Sequence, residues 1–196
     1  FLVLCGLLCV VLVVPARSAT NLVENGDFFL GDALTIDGWL RDITKGQATL
    51  YEGVPCVDVL PCLTCGTSNE MSYSQCVDTS AITTGIDVGG SIYTSHLAAG
   101  NIVFTLHTND TCTSTPPGVG ATLVPTATSE WFTGTAEINL PDGGDTYVKV
   151  TLNIIKPGVQ YEPTYFDDIF VQKSAATSVL VVQPSGRAPT GLIAVG

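Results

Sequence analysis

Two adjacent aspartates near the end of the chain have the residue type and spacing to bind a cation. Asp167 and Asp168 lie inside an apolar and aromatic stretch, residues 164–172, that predicts a β-strand. Because adjacent strand residues point to opposite faces, one of the two carboxylates is directed inward, where an unpaired charge is costly. A hard, oxygen-coordinated cation such as Ca²⁺ would relieve that cost, and so would hydrogen bonds from backbone N–H groups. The sequence leaves both alternatives open.

The remaining groups that could act in catalysis do not form a constellation. His96 and His107 are the only histidines, and no serine stands in the Gly-x-Ser-x-Gly turn of hydrolases. Asp167 and Asp168 cannot flank one glycosidic bond, because neighbouring strand side chains diverge. The glycine-rich residues 85–90 do not open a helix as a phosphate-binding loop does. We therefore expect no catalytic residues and no enzyme.

The seven cysteines fall into groups. Cys5 and Cys9 lie in the uncharged N-terminal run, and without them an odd number remains, so at least one thiol is free, pairs with another chain or lacks its partner here. Cys56, Cys62 and Cys65 lie close together and include a Cys-x-x-Cys. Zinc would need a fourth ligand and a redox site a helix, and neither is visible. We expect a disulfide that staples a loop, with metal or redox chemistry as alternatives.

The start of the chain has the pattern of a secretion signal. Residues 1–14 carry no charge and are followed by a proline and small residues. The run is shorter than the roughly 20 apolar residues of a membrane-spanning helix, and a buried core helix is the alternative. The sequence lacks an initiator Met and a basic leader segment. We expect residues 1–19 to be a signal peptide truncated at its start, and the protein to be secreted and extracellular.

The charge of the chain limits its partners. Lys and Arg number 7 against 18 Asp and Glu, which gives a net charge of −11. Such a surface repels nucleic acid and anionic lipid headgroups, and it suits an extracellular protein or one that holds cations. We expect no nucleic-acid partner and no membrane span in the mature chain as given.

The elements that must position these residues are strands. Alternation of period two recurs between turns rich in Gly, Pro and Asp, while no helical period persists after the leader. Residues 132–140 and 148–154 both alternate, and the five residues Pro141–Asp145 between the two runs predict a hairpin loop. Further strands are predicted at residues 22–23, 39–40, 48–51, 71–77, 90–95, 102–108, 122–124 and 164–172. About ten short strands predict an all-β, two-sheet antiparallel β-sandwich with little helix.

One domain at residues 20–173 accommodates these strands. Residues 109–120 predict a long loop, in which Asn109–Thr111 is a glycosylation sequon. Residues 174–196 change to a linker and two short apolar runs. We expect this tail to be a terminal strand with a frayed end. A segment that pairs with a neighbouring subunit, or an anchor that the sequence truncates, are the alternatives.

Three short motifs carry a resemblance to a known family. They are Asn-Gly-Asp-Phe at residues 25–28, Asp-Gly-Trp at 37–39 and Tyr-Phe-Asp-Asp-Ile at 165–169. With the order of the strands, they resemble the two ends of carbohydrate-binding modules of the family 4, 9 and 22 type, which have a galactose-binding-like jelly roll. The likeness extends over about residues 21–172.

The resemblance implies a jelly roll with a structural calcium where the first and last strands meet. Asp168 or Asp167 would supply the calcium carboxylate, with Asn25 and Asp27 nearby. Phe29 stands where the family often has Glu, so coordination would also use backbone carbonyls near Asn25 and Asp27.

The same likeness places Cys76 before the middle strands and Cys112 after them. Because these two cysteines bracket two predicted strands that can lie adjacent, we expect them to form a disulfide. Cys56, Cys62 and Cys65 could then form only one bridge among themselves.

Sugar binding in this family uses a concave face or loop tips and needs exposed aromatic rings. Trp39 and Trp131 match framework positions, so we expect both to pack in the core. Of the tyrosines, Tyr93 on a central strand and Tyr51 near the cysteine cluster are the predicted sugar platform, with Tyr73 as a further candidate.

Two functions follow from this sequence. The first is a secreted, noncatalytic carbohydrate-binding module that recognises an extracellular polysaccharide or glycan and holds a structural calcium. The alternative is a structural or adhesive cell-surface subunit that self-associates through its C-terminal tail and uses the sandwich as a building block. The family motifs favour the first function, and the small number of exposed aromatic candidates favours the second.

Overall fold

The computed structural model of the protein describes residues 19–29, 36–42, 44, 48–51, 62–65, 71–97, 99–114, 118–141, 146–154 and 164–175. These residues form β-strands joined by turns and loops, and none of them is helical. A helix long and apolar enough to cross a bilayer is therefore not found in this part of the chain. Residues 1–18 and 176–196 lie outside it, so the signal peptide and the self-associating tail stay predictions.

Ten strands make up the described fold. Their bounds are β1 Leu40–Arg41, β2 Ala48–Tyr51, β3 Cys62–Cys65, β4 Met71–Asp78, β5 Gly85–Thr94, β6 Gly100–His107, β7 Gly118–Leu123, β8 Trp131–Asn139, β9 Tyr147–Ile154 and β10 Thr164–Lys173.

The strands form two five-stranded antiparallel sheets. The first sheet has the order β1-β4-β9-β6-β7 and the second has the order β2-β3-β10-β5-β8. From β3 to β6, and again from β7 to β10, each strand is followed by one in the opposite sheet, which is the path of a jelly roll. The predicted all-β jelly-roll sandwich is confirmed.

The core lies between the sheets because each strand has one apolar face. In β9, Val148, Val150 and Leu152 are fully buried, while Lys149 and Thr151 between them are half-exposed. The largest fully buried side chains include Phe28, Phe104, Phe166, Met71 and Leu152.

Trp39 belongs to this core, as predicted. Its ring packs on Phe28 with 5.6 Å between the centroids, and its indole N–H donates to the Asn25 carbonyl at 3.2 Å. Burial of a tryptophan with its polar group satisfied anchors the N-terminal segment to the sandwich.

The predicted hairpin at residues 132–140 and 148–154 is wrong. Both segments are strands, but β8 is an edge of the second sheet, paired with β5, while β9 lies in the middle of the first sheet between β4 and β6. Two strands with one apolar face each can pair side by side or face each other across a core. Alternation alone cannot distinguish these arrangements.

Strand β3 lies where the sequence indicated only a cysteine-rich loop. Its backbone, from Cys62 to Cys65, pairs with both β2 and β10. Conversely, the strand predicted at residues 22–23 is absent from the described fold, where Leu22 donates a single backbone hydrogen bond to Val171 at 2.8 Å. The predicted bridge among Cys56, Cys62 and Cys65 falls outside the described side chains and stays a prediction.

The predicted disulfide between Cys76 and Cys112 is confirmed. Their Cα atoms are 5.7 Å apart, and the bond joins β4 to the turn that follows β6. Both strands flank β9, so the disulfide links the two sides of the first sheet. By the chain-entropy estimate, closing a loop of 36 residues contributes about 4 kcal/mol to stability.

Candidate functional site

The first segment of the domain lies against the last strand. Asn21 makes this junction: its amide N–H donates to the Ile169 carbonyl at 2.9 Å, and its side-chain oxygen accepts from the N–H groups of Val23 and Val171 at 3.0 and 3.1 Å. The Ile169 N–H donates in turn to the Gly26 carbonyl at 2.9 Å. The structure therefore brings Asn25 and Asp27 next to Asp168, as the sequence predicted.

The Asn-Gly-Asp-Phe turn has the geometry that this close approach requires. Asn25 and Phe28 have left-handed φ angles of 51° and 53°, and Asn tolerates that region better than most residues do. A Cβ at Gly26 would collide with the Ile169 carbonyl oxygen. The glycine thus lets the turn reach β10, and the Asn25 amide donates to the Asp37 carbonyl at 3.2 Å, which joins two of the motifs.

Gln75 holds the same two motifs from the core side, a role that the sequence reasoning missed. It is buried on the inner face of β4, where its oxygen accepts from the Glu24 N–H at 2.7 Å. Its amide nitrogen donates to the carbonyls of Glu24 and Gly38, both at 2.9 Å. The signal was a glutamine at an inward position between Tyr73 and Val77, because a buried amide requires partners.

A β-bulge in β10 separates the two aspartates. Asp167 pairs with Ser91 and Phe170 pairs with Gly89, so two residues of β10 lie opposite Gly90. Asp168 occupies the bulge with a φ of 53°, and its N–H donates to the Asp167 carboxylate at 2.8 Å.

Burial differs between these two carboxylates. Asp167 is 8% exposed, whereas Asp168 is exposed. The expectation that the inward carboxylate lies in the core needs correction: Asp167 shares the outer face of the second sheet with Ser91, and it is buried there. The bulge resets the alternation, so Ile169 instead of Asp168 enters the core.

The electrostatics at the junction of the first segment with β10 favour the binding of either a proton or a cation. Burial raises the pKa of Asp167 to about 7; the hydrogen bond from the Asp168 N–H opposes that rise, and repulsion from Asp168 and Asp27 adds to it. Asp27 and Asp168 also line a pocket of about 410 Å³ together with Asn21 and Asn25. Carboxylate and amide oxygens are ligands that Ca²⁺ accepts.

The donor set nevertheless differs from the one that the sequence implied. The Asn25 carbonyl already accepts hydrogen bonds from the Phe28 and Trp39 N–H groups, and the Gly26 carbonyl accepts from Ile169. Any ion here would therefore depend on the side chains of Asp27 and Asp168 more than on these carbonyls. Among the described residues, no three His, Cys, Asp or Glu side chains are grouped as a metal site.

The predicted sugar-binding tyrosines separate into different environments. Tyr73 is 3% exposed in the core cluster and cannot stack on a ligand, which corrects its assignment. It shares the inner face of β4 with Met71 and Val77, a pattern visible in the sequence. Tyr51 ends β2, whose side chains lie outside the described residues. Tyr93 is half-buried on the outer face of the second sheet.

Tyr93 stands in a row of three aromatic side chains. Its register partners are Tyr165 on β10 and Trp131 on β8. Both ring contacts have centroids 5.9 Å apart, with interplanar angles of 70° to Tyr165 and 60° to Trp131. Trp131 is half-buried in this row and not in the central core, which corrects its predicted framework position.

A row of polar groups follows the aromatic row on the same face. The hydroxyls of Ser91 and Thr133 form a hydrogen bond at 3.0 Å, and Asp167 stands on the other side of Ser91. On this face Tyr93 and Trp131 are half-buried and Thr133 is exposed, while Tyr165 and Ser91 are buried against them. Rings followed by a hydroxyl are a combination suited to a ligand with apolar faces and hydroxyl groups.

The outer face of the first sheet has a different character. The side chains of Asn101 and Asn153 bind each other at 3.0 Å, among Ser, Thr and Lys residues. Tyr147, at the start of β9, is the described aromatic residue on this face. The candidate platform is therefore on the second sheet.

His107 lies at one end of a cleft of about 760 Å³ between β6, β7 and β8. Its ring nitrogens contact the hydroxyls of Thr105 at 3.0 Å and Ser114 at 3.1 Å. Burial and the positive charge of Lys149 lower the pKa of His107, and a hydrogen bond with the backbone of Ser114 opposes that effect. A serine–histidine–carboxylate triad would need a carboxylate where Thr105 stands.

Comparisons with known proteins show a shared fold. No protein-family model matches the chain, and no curated protein does. Among solved structures, a family 16 carbohydrate-binding module matches with a TM-score of 0.56 and 16% identity, over 78% of this chain and 100% of that one. A family 61 module in complex with β-1,4-galactotriose matches with a TM-score of 0.52 and 16% identity, over 80% of this chain and 100% of that one.

A third similar structure is the enzymatically active domain of tailspike protein 4 from bacteriophage CBA120. Its TM-score is 0.58 at 9% identity, over 78% of this chain and 21% of that chain. The predicted likeness to carbohydrate-binding modules is thus confirmed at the level of the jelly-roll fold.

Proposed function

We propose that this chain is a noncatalytic module that binds an extracellular glycan on the outer face of its second sheet. The observation that carries the proposal is the row of Tyr165, Tyr93 and Trp131 beside the hydroxyl pair of Ser91 and Thr133. The fold shared with carbohydrate-binding modules supports it.

The chemistry of the row matches that of a sugar. A pyranose has an apolar face of C–H groups, which packs on an aromatic ring, and equatorial hydroxyls, which need donors and acceptors at its edge. Tyr93 and Trp131 supply half-buried rings, and Thr133, whose hydroxyl is hydrogen-bonded to the buried Ser91, supplies an exposed hydroxyl two residues along the strand. One sugar unit can therefore contact both rows at once.

The charge of the chain selects among glycans. With a net charge of −11, and with Asp167 beside the hydroxyl pair, the surface repels sulfated or carboxylated polysaccharides. A neutral or amino-bearing glycan fits the face best. The disulfide between Cys76 and Cys112 supports an oxidising, extracellular setting for this function.

We further propose that Ca²⁺ binds at the junction of the first segment with β10. Asp27 and Asp168 would hold it, with Asn25 and the buried Asp167 nearby. There the ion would neutralise carboxylates that otherwise repel one another, and it would join the two ends of the domain. Its role is structural: it would hold the first segment of the domain against β10.

The glycan-binding proposal is tested by truncating the row. We expect Tyr93→Ala and Trp131→Ala each to weaken binding about tenfold, the effect of losing one well-packed aromatic contact. The measurement is binding to a panel of neutral and amino-bearing polysaccharides by affinity electrophoresis and then calorimetry. Tyr147→Ala, on the first sheet, is the matched control and keeps wild-type affinity.

Equal loss in Tyr147→Ala, or binding that survives both row variants, would contradict the proposed site. A wild-type chain that binds no member of the panel but forms ordered assemblies would favour the structural building block instead.

A further inference from the structure

Phe170 is an aromatic side chain that the aromatic row does not include. It lies on the outer face of β10 after the bulge, half-buried, directly opposite Gly89. A Cβ at Gly89 would collide with the Phe170 ring, so the ring lies against the bare backbone of β5. One side of the Phe170 ring therefore packs on the sheet.

Phe170 and Tyr93 lie on the outer face of the second sheet at two different positions along the strands, which are called levels below. Tyr93, Ser91 and Gly89 are alternate residues of β5, and their partners on β10 are Tyr165, Asp167 and Phe170. Four residues of a strand span about 13 Å. The hydroxyl row of Ser91 and Thr133 lies between these two aromatic levels.

The surroundings of Phe170 differ from those of a ring that only fills the core. Its neighbours Ile169 and Val171 enter the core, whereas Phe170 lines the 410 Å³ pocket with Asn21 and Asp27. A half-exposed ring beside amide and carboxylate groups can contact a second sugar.

We propose that Phe170 is a second stacking position, so that the ligand is an oligosaccharide that lies along β5 and contacts both aromatic levels. This inference rests on the proposed glycan-binding function. It assigns the direction and extent of the site: a chain of sugars runs parallel to the strands, from the Tyr93 row over the hydroxyl pair to the ring on Gly89. A mono- or disaccharide would reach the first level alone.

The test is a length series. Calorimetry would measure binding of neutral β-1,4-linked and β-1,3-linked oligosaccharides of about two to six units to the full chain, for wild type, Phe170→Ala, Phe170→Leu and Phe170→Tyr. We expect wild-type affinity to rise along the series. Phe170→Ala and Phe170→Leu should lower the affinity for the longest members about fivefold to tenfold and leave the shortest unchanged. Phe170→Tyr, which retains the ring, should behave as wild type.

The outcomes separate the two proposals. If Phe170→Ala folds, by thermal melting, and binds every length as wild type does, the second position is wrong while the Tyr93 site stands. If Phe170→Ala and Tyr93→Ala weaken all lengths equally, the extended site is also wrong. Phe170→Leu preserves apolar packing on Gly89, so its affinities across the length series test the second stacking position even if Phe170→Ala does not fold. A chain that binds no oligosaccharide of the series and no polysaccharide of the panel overturns both proposals.

Discussion

At the scale of single residues, Gln75 determines how the N-terminal turns sit on the sandwich. Its buried amide makes three hydrogen bonds to the backbone of Glu24 and Gly38, accepting one and donating two. One such hydrogen bond contributes about 1 kcal/mol net, so the three together contribute about 3 kcal/mol to stability.

Replacing Gln75 with methionine tests this role. The side chain keeps its approximate size but leaves the N–H and carbonyl of Glu24 and the carbonyl of Gly38 without their partner. We expect the free energy of unfolding to fall by about 3 kcal/mol. Urea denaturation measures it. Gln172→Met, at a half-exposed position on β10, is the matched control and should change stability by less than about 0.5 kcal/mol. Equal losses in the two variants would contradict the role of Gln75.

At the scale of elements, β6 and the turn after it form one unit. His107 at the end of β6 contacts Ser114, the Ser114 hydroxyl accepts from the Thr108 N–H at 3.1 Å, and Cys112 between them is bonded to β4. Asn109 of the predicted sequon caps the same turn, because its side-chain oxygen accepts from the N–H groups of Thr113 and Ser114.

The lowered pKa of His107 makes the stability of this unit depend on pH. Because burial disfavours the charged ring, the unfolded chain binds the proton more readily than the folded one. The neutral His107 ring therefore contributes to the stability of the folded state above its ordinary pKa near 6.5, and this contribution is lost as the pH falls below that value. Relative to His107→Gln, the wild type should therefore lose stability between about pH 7.5 and 5.5. An equal change in the free energy of unfolding of the two proteins between these pH values would contradict this prediction.

At the scale of the whole molecule, the two ends of the domain meet at one corner. Asn21 and Gly26 bind the bulged segment of β10, and Asp27 and Asp168 face the same pocket. A cation there would stabilise the folded state alone, because the unfolded chain does not hold these groups together.

Calcium addition after chelation tests the ion site. Ca²⁺ at a hundredfold excess over its dissociation constant would contribute about 2.7 kcal/mol and raise the melting temperature by several degrees. Asp168→Asn should abolish most of that shift, whereas Asp110→Asn, an exposed control that does not line the pocket, should retain it. An unchanged melting temperature in the wild type would exclude the proposed ion.

Much of the fold and part of the site could be predicted from the sequence because their signals are local. Alternation along β4, β5 and β8 marks the inner faces, and applied residue by residue it also places Tyr73 inside and Tyr93 and Trp131 outside. The Asn-Gly-Asp-Phe and Asp-Gly-Trp turns reflect backbone requirements at Gly26 and Gly38, since Gly38 has a φ of 81°.

Tertiary structure alone decided which strands pair and what their pairing brings together. Nothing local distinguishes a β8–β9 hairpin from the observed β5–β8 and β4–β9 pairs, because both arrangements bury the same faces. The row of Tyr165, Tyr93 and Trp131, the position of Phe170 over Gly89 and the approach of Asp27 to Asp168 all depend on long-range register. The sequence by itself determined a β-sandwich, since alternation and turn chemistry act over a few residues. The location of a binding face depends on strand register, which is set by the packing of the whole core.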